Sequence, residues 1–190
     1  MNIAIFGGTF DPIHRAHVVI AREAADRLHL DRVLFVPAAH PPWKDSSTSY
    51  GHRLKMVELA CEGDARLEAS RLEEGARKSY SIDTVERVQK LYPGARLYFI
   101  IGTDAFAEVE KWHRADDLLR VVDFVVVARP GHSFTAPPGA RMHRLDTLAL
   151  EVSSSAIRRE LAAGRATTDL APTVIAYIRE HSLYQRPTKS

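Results

Sequence analysis

His14 and His17 are the residues whose types and spacing best suit chemistry on a phosphate group. They lie three positions apart, so both project from one side of a first helical turn. Free N–H groups at a helix N-terminus attract anions, and phosphates above all. Two imidazoles beside such groups would form a cluster of donors for a polyphosphate. A turn without function and an i,i+3 metal pair are the alternatives, and the lack of a third ligand nearby in the sequence disfavours the metal pair.

The histidines follow a predicted strand and open a predicted helix. Residues 1–6 are a short apolar run rich in β-formers, which predicts a buried strand. Apolar residues at helical spacing in 18–28 predict an amphipathic helix. Pro12 lies before this stretch, at a place where a first helical turn tolerates proline. Gly7 and Gly8 have no side chains, so the backbone of this turn can approach a ligand closely. We therefore expect a strand-to-helix turn built around a ligand.

Composition sets broad limits on function. The chain has 190 residues, a net charge of +2 and nine histidines, which leave room for local positive charge in a phosphate site. The net charge is too small to argue for nucleic acid. A lone cysteine, Cys61, excludes internal disulfides and multi-cysteine zinc sites, and its apolar surroundings favour a buried inert thiol. We see no secretion signal and no apolar run of the ~18 residues that span a bilayer, so we expect a cytoplasmic protein that binds no membrane. Association into a homo-oligomer stays open.

Strands and helices alternate along the chain, which predicts a parallel sheet covered on both faces. We expect an α/β fold of the Rossmann-like, doubly wound kind in a single domain over 1–190. The core sheet would occupy about 1–150 and a C-terminal helical part about 151–190. The predicted strands are 1–6, 32–37, 66–70, 96–101 and 121–128, and the predicted helices are 18–28, 51–62, 81–91, 103–112, 115–119 and two more that open near 153 and 169.

Sheets of this kind bind ligands beyond the carboxyl ends of their strands. The histidine turn follows the first strand, residues 41–44 follow the second, and residues 102–104 follow a later one. All three groups therefore fall on the ligand side. The chain contains neither Gly-x-Gly-x-x-Gly nor a Gly-Lys dipeptide, which excludes the hydride-transfer fingerprint and the P-loop. The histidine turn is left as the phosphate site.

Two further segments could bind anions. Pro41 and Pro42 stiffen the loop that carries Lys44, and an ammonium group suits phosphate oxygens, although a solvated surface lysine is the better interpretation of these residues alone. Ser153–Ser155 open a predicted helix that places Arg158 one turn further on. A helix cap explains one of these serines but not three. Three hydroxyls, free N–H groups and a guanidinium would form a second anion site.

Residues 7–17 resemble the signature of the nucleotidyltransferases that share the His-x-Gly-His turn with class I aminoacyl-tRNA synthetases. Other segments narrow the resemblance to bacterial nicotinate mononucleotide adenylyltransferases. Ala16 departs from the pattern, because the family usually has Gly there, close to the adenine, and we expect the extra methyl to be tolerated. The other matching segments, in the family's order and with family-like spacing, are 41–44 (Pro-Pro-x-Lys), 80–84 (Tyr-Thr-x-Asp-Thr), 102–104 with Trp112 (Gly-x-Asp and Trp) and 152–158 (Ile-Ser-Ser-Thr-x-Ile-Arg).

The resemblance implies transfer of the AMP moiety of ATP to the 5′-phosphate of nicotinate mononucleotide, with Mg²⁺ carried by ATP and no metal ligands from the protein. It implies catalytic roles for His14, His17, Lys44 and Arg158. The residues implied to bind ATP are Gly7, Gly8, Thr9, Phe10, His14, His17, Lys44, Gly102, Asp104, Ser153, Ser154, Ser155 and Arg158. Those implied to bind the mononucleotide are Thr84, Val85, Asp104, Trp112 and His113.

Two other functions compete with this one. A sister enzyme would use the same chemistry on nicotinamide mononucleotide or phosphopantetheine, or with a cytidylyl donor; the segments at 80–84 and 102–112 favour the pyridine acid. A non-enzymatic nucleotide sensor or RNA-binding module would be favoured by loss of the histidines or Arg158, which are all present. RNA binding would also need a basic stripe with interleaved aromatic residues, which the sequence lacks.

Overall fold

A computed structural model describes residues 1–40, 48–76, 78–128, 131, 133–147 and 152–185. In this part of the chain six strands form one parallel sheet in the order β3-β2-β1-β4-β5-β6. This arrangement confirms the predicted α/β fold of the Rossmann-like kind. The strands are β1 (Asn2–Gly8), β2 (Arg32–Pro37), β3 (Leu67–Ala69), β4 (Arg96–Gly102), β5 (Asp123–Ala128) and β6 (Met142–Asp146).

The helices cover both faces of the sheet because the strand residues alternate between two apolar clusters. Ala4 and Phe6 of β1 belong to one cluster, which also holds buried residues of α1, α2, α6 and α7. Ile3 and Ile5 of the same strand belong to the other cluster, with residues of α3, α4 and α5. The helices are α1 (Arg15–Leu28), α2 (Tyr50–Cys61), α3 (Ser81–Leu91), α4 (Thr103–Ala107), α5 (Ala115–Val121), α6 (Ser154–Ala162) and α7 (Pro172–Glu180), with a 3₁₀ turn at Val109–Lys111.

The order of the strands fixes where a ligand can enter. The chain runs outward from β1 to β3 on one side and from β4 to β6 on the other. β1 and β4 are therefore the adjacent strands at which the direction of winding reverses. In open α/β sheets this switch point leaves a crevice beyond the carboxyl ends of the two strands. The histidine turn follows β1 and Gly102 ends β4, so both predicted segments lie at this crevice.

Three local predictions were wrong. β6 was missed because it is an edge strand in which Leu145 alone is buried, so it lacks an apolar run. Pro12 precedes α1, because the helix begins at Arg15 and His14 is its extended N-cap residue. Residues 103–112 form α4 and the separate 3₁₀ turn, where we expected one helix. No helix in the described ranges is long and apolar enough to cross a membrane.

The paired glycines at the end of β1 have different surroundings. Phe10 adopts a positive φ of 51°, which turns the chain so that its ring packs edge-on against Phe6, Phe35 and the His17 imidazole. A Cβ on Gly8 would lie 2.9 Å from two atoms of that ring, whereas a Cβ on Gly7 would find its nearest neighbour at 3.9 Å. Only Gly8 is therefore required by close packing.

We expect Gly8→Ala to destabilise the chain by about 1–3 kcal/mol, the usual cost of overpacking, because the added Cβ would press on the buried Phe10 ring. Gly7→Ala is the matched control, with unchanged or slightly higher stability because alanine restricts the unfolded chain. Urea unfolding at neutral pH measures the free energy of unfolding of both variants. Equal stability of the two variants would contradict the assigned contact between Gly8 and Phe10.

Candidate active site

A cavity of about 790 Å³ opens beyond the carboxyl ends of β1 and β4. Its walls come from the turn between β1 and α1, the start of α4, and the start of α6. The structure thus brings most of the predicted phosphate-binding residues together around one space. The predicted residues that line it are Gly8, Thr9, Phe10, His14, His17, Gly102, Asp104, Ser153, Ser154, Ser155 and Arg158.

The two histidines form a stacked pair. Their ring centroids lie 3.7 Å apart with an interplanar angle of 26°. The backbone N–H of His14 donates to Nδ1 of His17 at 3.2 Å. Because Nδ1 accepts this bond, the neutral His17 ring carries its proton on Nε2. His17 lines the cavity, and its ring donor is therefore Nε2–H.

Burial keeps both imidazoles neutral. His14 is 6% exposed. Desolvation lowers the pKa of His14 from 6.5 to about 4, and the charge of Asp169 opposes this only in part. Burial, and then the neighbouring His14, lower the pKa of His17 well below its usual 6.5. In the ligand-free chain at neutral pH the pair therefore supplies N–H donors, not the positive charge that the histidine content suggested.

The start of α6 forms a second wall and is bonded directly to the histidine turn. Ser153 is the helix cap, since its Oγ accepts from the N–H of Ala156 at 3.2 Å. Ser154 Oγ donates to the carbonyl oxygen of Pro12 at 2.9 Å. Arg158 Nη1 donates to the carbonyl oxygen of Asp11 at 2.6 Å. The two predicted anion sites are thus parts of one structure.

A second contact orients the guanidinium. Arg158 Nη2 donates to Ser155 Oγ at 3.4 Å, one turn back on α6. The guanidinium carries five N–H donors in a fixed plane, and these two contacts use only part of that set. The three serines therefore have three different partners: the backbone of α6, the carbonyl of Pro12, and Arg158.

The third wall comes from the end of β4. Gly102 is the N-cap residue of α4, and the exposed Asp104 lies in the first turn of that helix. At the start of α1, Ala16 is buried and contributes to the lining. The alanine methyl that departs from the family pattern thus faces the space in which the nucleotide is expected.

Most of the residues predicted to bind the pyridine mononucleotide do not line the cavity, unlike most of those predicted to bind ATP. Asp104 lines the cavity. Thr84 is buried on α3, where its Oγ1 donates to Glu73 Oε1 at 2.9 Å and its N–H donates to the carbonyl of Tyr80. Val85 is fully buried in the core under α3. Both residues thus have partners within the protein, and their contact with the mononucleotide stays a prediction.

Two aromatic groups lie near this region without lining the cavity. The half-buried Trp112 packs edge-on against Phe99, with centroids 6.1 Å apart. The exposed His113 stacks on Tyr80 at 4.3 Å. Flat surfaces of this kind could accept a heterocycle, so the predicted roles of Trp112 and His113 stay predictions. Lys44 falls in 41–47, outside the described residues, and Gly7 does not line the cavity.

Arg53 supports the site from outside the cavity, a role that we did not predict from the sequence. It is 1% exposed, and its guanidinium donates to the carbonyl of Thr9 at 2.7 Å and to that of Ala38 at 2.8 Å. These carbonyls follow β1 and β2, so Arg53 fixes the starts of both loops at the ligand edge. Its position one turn before Val57, on the buried side of α2, was the available signal. A charged residue on an apolar stripe needs buried partners.

A protein metal centre is not evident in the described ranges. They contain no group of three or more His, Cys, Asp or Glu residues that could hold a metal ion.

Comparisons with known proteins give a consistent result. A family model described as cytidylyltransferase-like matches residues 5–160. The chain is 56% identical over 187 residues to a probable nicotinate-nucleotide adenylyltransferase of Solibacter usitatus, covering 97% of this chain and 100% of that protein. It is 40% identical over 187 residues to a protein of the same description from Exiguobacterium sibiricum, covering 97% and 99%.

Solved structures share the fold. The nicotinic acid mononucleotide adenylyltransferase of Plasmodium falciparum complexed with NaAD matches with a TM-score of 0.81 and 21% identity, over 96% of this chain and 97% of that one. The same enzyme complexed with APC matches with a TM-score of 0.79 and 21% identity, over 96% of each chain. At this identity the likeness concerns the fold.

The lowered pKa of His14 predicts a pH dependence of stability. Since the pKa is 6.5 in the unfolded chain and about 4 in the folded one, the unfolded chain binds more protons between these values. The stabilisation is complete above pH 6.5 and declines as the pH falls towards 4. Between pH 7.5 and pH 5 we expect His14 to account for a loss of about 2 kcal/mol in the free energy of unfolding.

Urea unfolding of the wild type and of His14→Gln at both pH values measures this contribution. The loss between the two pH values should be about 2 kcal/mol smaller in the variant. An identical pH dependence in the two proteins would show that His14 titrates normally in the folded chain.

Proposed function

The chain belongs to the family of nicotinate-nucleotide adenylyltransferases, and we propose that its cavity binds ATP and nicotinate mononucleotide for the reaction of that family. The AMP moiety of ATP passes to the 5′-phosphate of the mononucleotide, which gives deamido-NAD and pyrophosphate. The observation that carries the proposal is that His14 and Arg158, far apart in the sequence, line one cavity.

The chemistry needs no protein base or nucleophile. A phosphate monoester is largely dianionic at pH 7, because its second pKa is about 6. One of its oxygens attacks the α-phosphorus of ATP, and the bond from that phosphorus to the bridging oxygen of the β-phosphate breaks. Pyrophosphate leaves with the electron pair. The protein contributes alignment and charge stabilisation, as in phosphoryl transfer generally.

The histidine pair is assigned to the α-phosphate and the bridging oxygen. Its N–H donors sit in a buried wall, where hydrogen bonds to developing negative charge are strong. The arriving triphosphate would also raise the pKa values of both imidazoles, because a nearby negative charge favours the protonated form. The neutral pair of the free chain thus gains positive character only when its substrate is present.

Arg158, Ser154 and Lys44 are assigned to the departing pyrophosphate. Arg158 presents a planar set of donors that suits phosphate oxygens, and its bond to the carbonyl of Asp11 holds the guanidinium beside the histidine turn. Ser154 lies at the start of α6, where the helix dipole favours anions; because its hydroxyl proton is donated to Pro12, its backbone N–H is the group assigned to the pyrophosphate. Lys44 lies outside the described residues, and its role rests on the family resemblance alone.

Mg²⁺ is the divalent ion proposed to accompany ATP. Because the described residues offer no protein cage, phosphate oxygens and water would supply most of its ligands. Bound in this way, it would neutralise charge on the triphosphate.

Three further proposals concern the protein as a whole. We propose one domain over residues 1–190, because α6 follows the last strand and closes a cavity whose other walls follow β1 and β4. We propose a cytoplasmic location without binding to nucleic acid, which rests on the modest net charge of +2 and the small substrates. Assembly into a homo-oligomer stays open.

Pyrophosphate release from ATP in the presence of added acceptors tests the proposed function. Nicotinate mononucleotide, nicotinamide mononucleotide and phosphopantetheine are compared at equal concentrations. We expect acceptor-dependent release that is fastest with the nicotinate form. A higher rate with either other acceptor would assign the chain to a sister activity, and ATP binding without acceptor-dependent release would favour a nucleotide-binding module.

His17→Ala tests the assigned chemistry. Removal of one preorganised donor of this kind typically lowers turnover by about 10²–10³-fold, and we expect a loss of that order with the fold retained. His181→Ala is the matched control, because His181 packs against Tyr177 and does not line the cavity. Steady-state turnover and circular dichroism are measured for both. Near-normal turnover in His17→Ala would remove this residue from the mechanism.

A further inference from the structure

We propose that Tyr184 is a positioning residue of the triphosphate site: its hydroxyl acts through the buried carboxylate of Asp11 to hold Arg158 in place. The inference rests on the proposed function, which assigns Arg158 to the phosphates of ATP. Catalysis would then depend also on the segment after α7, which does not line the cavity.

Asp11 is one of the residues that line the cavity, and it is almost completely buried. Asp11 is 3% exposed and belongs to the turn between β1 and α1 that forms part of the cavity wall. Its Oδ1 accepts from Thr48 Oγ1 at 2.6 Å and from Tyr184 Oη at 2.6 Å. Short hydroxyl–carboxylate bonds of this type are charge-assisted and strong. A buried carboxylate requires such donors, because desolvation otherwise makes its charge costly.

The main chain of Asp11 accepts a hydrogen bond from the Arg158 guanidinium. The carbonyl oxygen of Asp11 accepts from Arg158 Nη1 at 2.6 Å, and the next carbonyl, that of Pro12, accepts from Ser154. The side chain of Asp11 is therefore fixed from the C-terminal segment, while its carbonyl fixes Arg158. The two side-chain bonds restrain the Asp11 main chain, and a shift of that main chain would move the acceptor to which Arg158 is bonded. The path from Tyr184 to the phosphate site thus contains a single intermediate residue.

The segment that carries Tyr184 turns back towards α7. Ser182 and Tyr184 have positive φ angles of 51° and 62°, which are uncommon for residues other than glycine. The N–H of Leu183 donates to the carbonyl of Ile178 at 3.0 Å and closes the end of α7. The Tyr184 ring packs against the core cluster below α1 and α2.

The phenol is a donor under all working conditions. Burial first, and then the bond to the Asp11 carboxylate, raise the pKa of Tyr184 well above its usual 10. The hydroxyl therefore stays protonated and directs its proton at Asp11. Tyr184→Phe removes this proton donor and keeps the ring that fills the core.

The test measures the affinity for ATP with Mg²⁺ by calorimetry, without any acceptor. We expect Tyr184→Phe to weaken ATP binding about 10-fold, which is the usual scale for one hydrogen bond to a charged group. Tyr177→Phe is the matched control: it removes a tyrosine hydroxyl of α7 that contacts His52 Nδ1 at 2.8 Å, away from the cavity. ATP affinity in this control should change less than about two-fold.

A double-mutant cycle with Arg158→Ala separates positioning from general destabilisation. If Tyr184 acts through Arg158, Tyr184→Phe should weaken ATP binding less than about two-fold further once Arg158 is absent. Thr48→Val removes the second donor to the same oxygen and should repeat the pattern, also in the event that Tyr184→Phe folds poorly. An undiminished loss in the Arg158→Ala background, or no loss in the wild-type background, would overturn the proposal.

Turnover is measured separately with ATP and nicotinate mononucleotide. The proposed function and the positioning role of Tyr184 are then tested by different measurements. The expected cycle in a chain that releases no pyrophosphate would overturn the proposed function and keep the coupling in ATP binding. Normal acceptor-dependent turnover with additive mutations would overturn the role of Tyr184 alone. The KM for the mononucleotide should change less than about two-fold in Tyr184→Phe, whereas an unspecific loss of structure would affect both substrates.

Discussion

Two hydrogen bonds between α6 and the turn before α1 hold the phosphate site together. Arg158 and Ser154 donate to the consecutive carbonyls of Asp11 and Pro12 at 2.6 and 2.9 Å. These bonds join segments from opposite ends of the chain, and they place two helix starts around one cavity. The parallel sheet makes the meeting possible, because β1 and β4 end at the same edge where the winding reverses.

The electrostatics of the site follow from burial. The histidine pair is neutral in the free chain, since desolvation outweighs the charge of Asp169 on His14. The buried guanidinium of Arg53 is directed to two backbone carbonyls and not to the cavity. The cavity therefore presents oriented donors with one cationic side chain, Arg158, on a described wall. Such a site stabilises charge that develops during reaction and needs little rearrangement.

The sequence predicts which segments meet at the cavity better than it predicts the details of the fold. The histidine turn and the serine segment were found because phosphate chemistry restricts residue type and spacing. β6 escaped prediction because an edge strand needs only one buried residue, here Leu145. Arg53 and Tyr184 escaped prediction for a different reason. Each acts on residues distant in sequence through hydrogen bonds, and no local periodicity records such partners. The roles of Trp112 and His113 still depend on the resemblance.

A crystal structure of the protein with ATP and Mg²⁺ would show whether both helix starts bind one triphosphate. The account predicts one triphosphate in the cavity, with His17 Nε2 and the Arg158 guanidinium both within hydrogen-bonding distance of its oxygens. The bonds from α6 to the carbonyls of Asp11 and Pro12 should persist in that complex. A triphosphate that contacts only one of the two helix starts, or that binds outside this cavity, would contradict the account.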